Sequence, residues 1–314
     1  MAQLHKYSGA GNDFVVLDGR TEDVSAFRDP SRIAELCDRE RGFAAADGRI
    51  GADGLMILTG DADYDFRMEF YNPDGSGGMM CGNGGRCIVA FADALGIRPA
   101  DGRVYRFVAA DGAHTGEILA RAGDCKTVRI RMIDVRTFYP ALDGWFVDTG
   151  TRHFVRFVPD AEAVDVEAEG RAARWDPVFA PVGANANFVS VDPDGTLRVR
   201  TFEKGVEGET LACGTGITAA AIAFCLESSG QAAESSRRAA GNYFSDKFAE
   251  KPISAPLSAA CPARENGSET ALPAPLCGIR YEIQARIARL AVEFRLGEDC
   301  FTDVYLTGPA DEIR

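Results

Sequence analysis

Two cysteines stand in the same local setting in distant parts of the chain. Cys81 precedes Gly82-Asn83-Gly84-Gly85, and an apolar, helix-capable run follows from Arg86 to Leu95. Cys213 precedes Gly214-Thr215-Gly216, and an Ile/Thr/Ala run follows over 217–223. A thiol at a helix N-terminus is biased toward thiolate, because the free N–H groups and the helix dipole stabilise negative charge. Two such thiols facing one another across a pocket form a two-base device. One takes a proton from a carbon, the other returns a proton to the opposite face, and reverse turnover restores the pair. The chemistry this suits is racemisation of an amino acid without a cofactor. Two helix N-termini converging on one α-carboxylate would place donors where enediolate charge builds up. Glycines beside each thiol allow close approach of substrate to the backbone.

The bulk composition bounds what else the chain can be. It has 314 residues, 46% hydrophobic, with a formal net charge of −13. That length favours about two domains with a sizeable core. An acidic chain is poorly suited to nucleic acid or an anionic membrane surface. No apolar run reaches the roughly 18 residues a membrane span requires. The start of the chain has no signal-peptide-like apolar stretch, so a cytoplasmic location is expected. Nine cysteines at irregular spacing give no disulfide framework. With no Cys-x-x-Cys pair and three histidines, no metal site is expected. Most thiols read as small core residues. A P-loop and a dinucleotide-binding glycine fingerprint are both absent as motifs.

The surrounding elements must position the two thiols. Strands are expected at 3–8 and 14–17, with a turn over Gly9-Ala10-Gly11-Asn12 between them. A helix is expected from Pro30 to Arg39 with Asp29 as its cap. Residues 41–50 read as an inserted loop. Strands follow at 55–58, 65–71, 103–109, 117–120 and 127–132, with the glycine loop 72–78 running into Cys81. Strands are then expected at 145–148, 154–158, 188–191 and 197–202, with a turn over 149–153 and a helix-tolerant stretch over 160–175. Residues 228–278 are rich in Ser, Ala, Pro, Glu and Gly and read as a mobile insertion. Strands resume at 279–288 and 290–296 and end at 304–309.

The two parts repeat one order: strand, polar loop, Cys-Gly-x-Gly, helix. Asn72 lies nine residues before Cys81, and Lys204 lies nine before Cys213. Gly11-Asn12-Asp13-Phe14 lines up with Thr151-Arg152-His153-Phe154. The expected fold class is therefore α/β (α+β), with two pseudo-symmetric halves. The cleft between them would hold the active site. The halves are drawn at 1–120 and 121–314, with the last strand free to return to the N-terminal half.

Eight short motifs occur in order: Gly-Ala-Gly-Asn-Asp-Phe (9–14), Gly-Ala-Asp-Gly-Leu (51–55), Tyr-Asn-Pro-Asp-Gly-Ser (71–76), Cys-Gly-Asn-Gly-Gly-Arg-Cys (81–87), Thr-Gly-Thr-Arg-His-Phe-Val (149–155), Asn-Ala-Asn-Phe-Val (185–189), Glu-Lys-Gly-Val-Glu-Gly-Glu-Thr (203–210) and Ala-Cys-Gly-Thr-Gly (212–216). In this order the chain resembles the diaminopimelate epimerase family over nearly its whole length, apart from 41–50 and 228–278. The resemblance implies that each half is a β-rich sheet or barrel wrapped on a central helix. It implies interconversion of LL- and meso-diaminopimelate in lysine and peptidoglycan precursor synthesis. It implies that Cys81 and Cys213 exchange the roles of proton donor and acceptor, under the influence of His153 and Glu203. Gly82, Asn83, Gly214 and Thr215 would hold the reacting α-carboxylate, and Asn12 would line the reacting centre. Asn72 and Asn185 would hold the distal end, Glu203 an ammonium group, and Lys204 and Thr151 would complete the substrate-binding set. Diaminopimelate is the expected small-molecule partner, and a homodimer is compatible with the pattern.

The chain departs from that pattern at several places. Lys204 stands where the family usually has arginine, which keeps charge but loses a bidentate grip on a carboxylate. Thr151 replaces a common Asn or Ser, and Arg152 replaces the proline that follows. Gly54 sits where some members have glutamine. The C-terminal strand after Thr307-Gly308-Pro309 reads as nearly missing. These changes leave open a two-thiol racemase of another amino acid, of proline or histidine type, and a non-catalytic binding protein of the same fold. Retention of Asn72, Asn185 and Glu203 favours a substrate with a second amino-acid head, and two intact cysteines favour catalysis.

Overall fold

The computed structural model describes residues 2–78, 80–229 and 278–313. The insertion expected at 228–278 lies outside the described residues except at its ends.

The chain begins with a hairpin, β1 (His5–Gly9) and β2 (Asn12–Asp18). Its two-residue loop, Ala10 (φ 57°) and Gly11 (φ 103°), has both residues in the left-handed region, as tight hairpins require. Helix α1 (Pro30–Cys37) follows, with Asp29 accepting from the N–H groups of Ser31 and Arg32 and proline at the first turn. Then come β3 (Leu55–Thr59), β4 (Phe66–Tyr71), α2 (Gly82–Ala94), β5 (Val104–Ala109), β6 (Gly112–Ala122) and β7 (Cys125–Arg131). The loop expected at 41–50 is irregular apart from an Ala44–Ile50 bridge. Buried Lys6 tethers it, with Nζ donating to Arg49 O (3.1 Å) and Gly51 O (2.6 Å) while pairing with Asp13 at 2.9 Å.

The second series is β8 (Thr137–Ala141), β9 (Gly144–Asp148), β10 (Arg152–Phe157), α3 (Val166–Arg174), β11 (Asn185–Val191), β12 (Leu197–Glu203), β13 (Gly208–Thr210), α4 (Gly214–Ser228), β14 (Ile279–Gln284), β15 (Arg289–Leu296) and β16 (Phe301–Glu312). Strands β1 to β7 pair in order, and β16 joins β7 to β1, so eight strands close a barrel. From β16 the sheet continues as β15-β14-β12-β11-β10-β9-β8, and a Val135–Phe301 bridge ties the entry to β8 back to β16.

The pairing pattern is the same twice. In the first series β1–β2 and β3–β4 are antiparallel, and β2–β3 and β4–β5 are parallel. In the second, β9–β10 and β11–β12 are antiparallel, and β10–β11 and β12–β14 are parallel. Each barrel wraps a helix that is apolar nearly all round, as a central helix must be. Residues 82–92 of α2 and nearly all of 214–226 of α4 are buried. Two apolar cores result, one around Ile88, Phe91 and Phe107 and one around Ile222, Phe224 and Phe294.

Several sequence expectations need correction. The chain end is not short of a strand, because β16 runs from Phe301 to Glu312 and is the strand both barrels share. Arg152 and His153 are strand residues and not part of a turn, since they pair with Asp148 and Val147. The border drawn at 120 and 121 falls inside β6. Because Val128 and Ile130 of β7 pack into the first core, we would draw it after β7.

Candidate active site

Cys81 and Cys213 occupy equivalent positions, each the residue that caps its helix from an extended conformation. The two helix starts abut. A Cβ built on Gly214 would lie 3.7 Å from Gly82 Cα, and a Cβ at either glycine would approach Leu306 Cδ2 to 3.0 Å. Asn83 ties them together, its Nδ2 donating to Ala212 O at 3.0 Å. That bond fixes the orientation of the carboxamide, because a carbonyl can only accept. Asn83 Nδ2 also donates to Asn12 Oδ1, and Asn12 Nδ2 in turn donates to Asp53 Oδ2 at 3.0 Å. Behind them, fully buried Arg86 donates to Asn83 Oδ1 (2.7 Å), Gly82 O (3.2 Å) and Pro309 O (3.2 Å). Burial pulls the Arg86 guanidinium down to about 10, which leaves it charged at neutral pH. A fixed positive charge therefore lies under the first turn of α2.

The thiols differ in surroundings. Cys81 is exposed at the open side of the cleft, and Gly84 N–H donates to its Sγ at 3.2 Å. Packing around the sulfur pushes the Cys81 thiol up, while the Gly84 N–H and Arg86 oppose that push. Solvent at its exposed side weakens the effect of packing. Cys213 is buried, and the Thr215 hydroxyl and Gly216 N–H of its own helix act on its sulfur. Burial first, and then the carboxylate of Glu203, push its thiol up to about 12. The bias toward thiolate expected from the helix N-termini is thus outweighed at Cys213. A buried anion beside another anion costs more than a few backbone N–H groups return.

Glu203, at the end of β12, accepts from Thr210 Oγ1 at 2.9 Å and from the Cys213 thiol. Burial pushes its carboxyl up, against those two bonds. On the other side of Cys213, Thr215 Oγ1 lies 3.4 Å from Sγ, 3.0 Å from His153 Nε2 and 3.1 Å from Thr151 Oγ1. His153 is fully buried, and burial lowers its imidazole to about 3. Asn185, the first residue of β11, donates to Arg152 O (2.9 Å) and accepts from Lys204 N–H (2.7 Å), so it joins β10 to the loop after β12.

The structure brings together Cys81, Gly82, Asn83, Asn12, Cys213, Gly214, Thr215, Thr151, His153 and Glu203, with Asn185 and Lys204 on the adjoining strand ends. Asn72 lies in the loop before Cys81, where its Nδ2 donates to Ser76 Oγ at 3.0 Å and its backbone closes the same turn. Among the described residues no group of three or more His, Cys, Asp or Glu is placed to hold a metal ion.

A diaminopimelate epimerase family profile matches residues 4–105 and 145–241. The chain belongs to the diaminopimelate epimerase family. Proteins named diaminopimelate epimerase from Chlorobaculum tepidum and Aquifex aeolicus are 41% and 40% identical to it. Those matches cover 68% and 72% of this chain and 80% and 82% of the relatives. Among solved structures, a Bacillus anthracis phenazine biosynthesis protein of the PhzF family superposes with a TM-score of 0.61 at 12% identity, covering 99% of this chain and 96% of that one. A probable proline racemase from Agrobacterium radiobacter superposes with a TM-score of 0.57 at 17% identity, covering 99% and 90%. At those identities the likeness shows the two-barrel fold.

Within the epimerase motifs, Gly54 has a packing reason. A Cβ there would lie 2.7 Å from Tyr71 O, so a glutamine would require the end of β4 to move. Three residues of the site carried no role in the sequence reading: Asp53, Arg86 and Asn187. Each had a signal. Asp53 is an acid just before a glycine that opens a strand. Arg86 is the one basic residue inside an otherwise apolar stretch of helix. Asn187 sits two residues after Asn185 in a strand, which puts both amides on one face.

Proposed function

We infer that this chain interconverts LL- and meso-diaminopimelate without a cofactor, as an isomerase of lysine and peptidoglycan precursor synthesis. The observation that carries this is the abutment of the two helix starts, each capped by a cysteine and each free of Cβ atoms in its first residue. The proposed binding mode places the reacting α-carboxylate on the N–H groups of Gly82, Asn83, Gly214 and Thr215. Negative charge developing on it in the transition state would then meet two helix N-termini and the field of Arg86. One thiolate takes the α-proton, and the opposite thiol delivers one to the other face. Glu203 and the Thr215–His153 pair are proposed to act on the Cys213 side, and Arg86 and Gly84 on the Cys81 side. Asn72, Thr151, Asn185, Glu203 and Lys204 are proposed to recognise the distal amino-acid head.

The test is incubation with LL-diaminopimelate in deuterium oxide without pyridoxal phosphate. Meso product carrying α-deuterium is expected, and neither Cys81→Ala nor Cys213→Ala should form it. No meso product from the unaltered enzyme overturns the reaction. Full activity in either variant overturns the two-thiol mechanism.

A further inference from the structure

Asn187 lies fully buried on β11, with both ends of its side-chain amide hydrogen-bonded. Its Nδ2 donates to Phe154 O at 2.9 Å, and its Oδ1 accepts from Thr201 Oγ1 at 2.9 Å. Since a backbone carbonyl can only accept, these two bonds fix which end of the amide is which. The second Nδ2 hydrogen then faces His153 Nδ1, 3.2 Å away. An imidazole nitrogen that receives a hydrogen bond carries no proton, so in the neutral ring the proton sits on Nε2. The position is purpose-shaped: a Cβ on Gly216, in the first turn of α4, would come to 2.4 Å from Asn187 Oδ1. Only a glycine in that turn lets the amide sit against the helix start that carries Cys213.

We propose that Asn187 is a positioning residue that holds His153 as the Nε2–H tautomer, so that the ring donates toward Cys213 through the threonine pair and does not act as a proton acceptor.

The hydrogen inventory follows from that assignment. His153 Nε2–H points at the oxygens of Thr151 (2.9 Å) and Thr215 (3.0 Å). Thr151 donates to Thr215 Oγ1 at 3.1 Å. The Thr215 hydroxyl hydrogen is then left for Cys213 Sγ at 3.4 Å. A sulfur receiving that hydrogen is stabilised as thiolate whenever its own proton has gone to substrate. A ring with the proton on Nδ1 would instead draw a threonine hydroxyl toward Nε2 and withdraw it from the sulfur. The charge acting on the ring is Lys204, which disfavours a second proton there.

The tautomer is read directly from protein labelled with ¹⁵N-histidine, in which the chain's three histidines are separated by comparison with His153→Gln. A bare Nδ1 and a protonated Nε2 are expected for His153, unchanged from about pH 5.5 to about pH 9, across the ordinary histidine range. A protonated Nδ1, or titration within that range, overturns the proposal. Asn187→Asp should move the proton to Nδ1. It should also lower kcat roughly tenfold or more with KM little changed, the scale of a lost proton-transfer aid. A variant that folds, flips the tautomer and keeps full kcat would sink the catalytic link. The kinetic arm rests on the epimerase reading. The spectroscopic arm does not, so the two can fail separately.

Discussion

At Cys213 the fields of the protein oppose one another. A helix start favours thiolate, while burial and the Glu203 carboxylate hold the proton on sulfur. His153 shows the same competition without ambiguity, because nothing charged and negative is set against its ring. Its folded value is lowered to about 3, from the ordinary 6.5. Between those values the unfolded chain binds a proton that the native state refuses. The native state therefore loses stability as pH falls below about 6.5, by up to about 1.4 kcal/mol per pH unit, with no such loss above that value. Urea unfolding from pH 7.5 down to about 5 should show this slope in the unaltered protein and lose it in His153→Gln. Carboxylates common to both proteins cancel in the comparison, and parallel curves would refute a neutral buried ring. Cys81, Cys213, Asn83 and Thr215 were legible in the sequence because a cysteine before Gly-x-Gly announces a helix start. Their protonation was not legible, since burial and the approach of Glu203 depend on neighbours far away in the chain. Asn187 escaped for a similar reason: a strand asparagine gains its meaning from the histidine one strand over.

The elements were read well where a local signal exists. Asp29-Pro30 marks the start of α1, and alternation over 65–71 marks β4. Strand β13 is only three residues long, and β8 carries a proline at Pro140, so neither has a pattern to read. Strand β16 was underestimated because its last residues, Pro-Ala-Asp-Glu, have poor strand propensity. They are held there by pairing with β1 on one side and β7 on the other. Tertiary pairing also explains the glycines at the ends of elements. Gly9, the last residue of β1, faces α2 so closely that a Cβ would meet Asn83 O at 2.7 Å and Cys87 Sγ at 3.0 Å. Neither neighbour is the free end of a flexible side chain. Gly9→Ala should push β1 off the first turns of α2 and cost about 1–3 kcal/mol, the usual scale of overpacking. Denaturant midpoints measure this directly, and a variant as stable as the parent would show that α2 can slide.

For the whole molecule, the repeated pairing pattern makes β16 the common wall of both barrels, and Leu306 on that wall is buried between the two helix starts. A two-thiol reaction depends on the separation of its sulfurs, because each must reach the same carbon from opposite faces. Neither barrel sets that separation alone. Gly82 and Gly214 both face the same Leu306 methyl, to which a Cβ added at either would come within 3.0 Å of Cδ2, so this side chain is the spacer between the halves of the site. Leu306→Ala removes it. Stability should fall by about 2–5 kcal/mol, as for other buried leucines. The catalytic consequence is separable from that loss. With the spacer gone the helix starts can shift toward the vacated volume. A displacement on the order of 1 Å can cost up to about a hundredfold in rate. Measured per folded molecule, kcat should therefore fall in both reaction directions. KM should move less, because the proposed binding mode holds the distal head on the ends of β10, β11 and β12, away from Leu306. Leu306→Met keeps the volume and should keep most of the rate. Equal kcat in the alanine variant and the parent, at matched folded fraction, would mean that the Asn83–Ala212 bond and the barrels themselves set the gap, and that Leu306 only fills it.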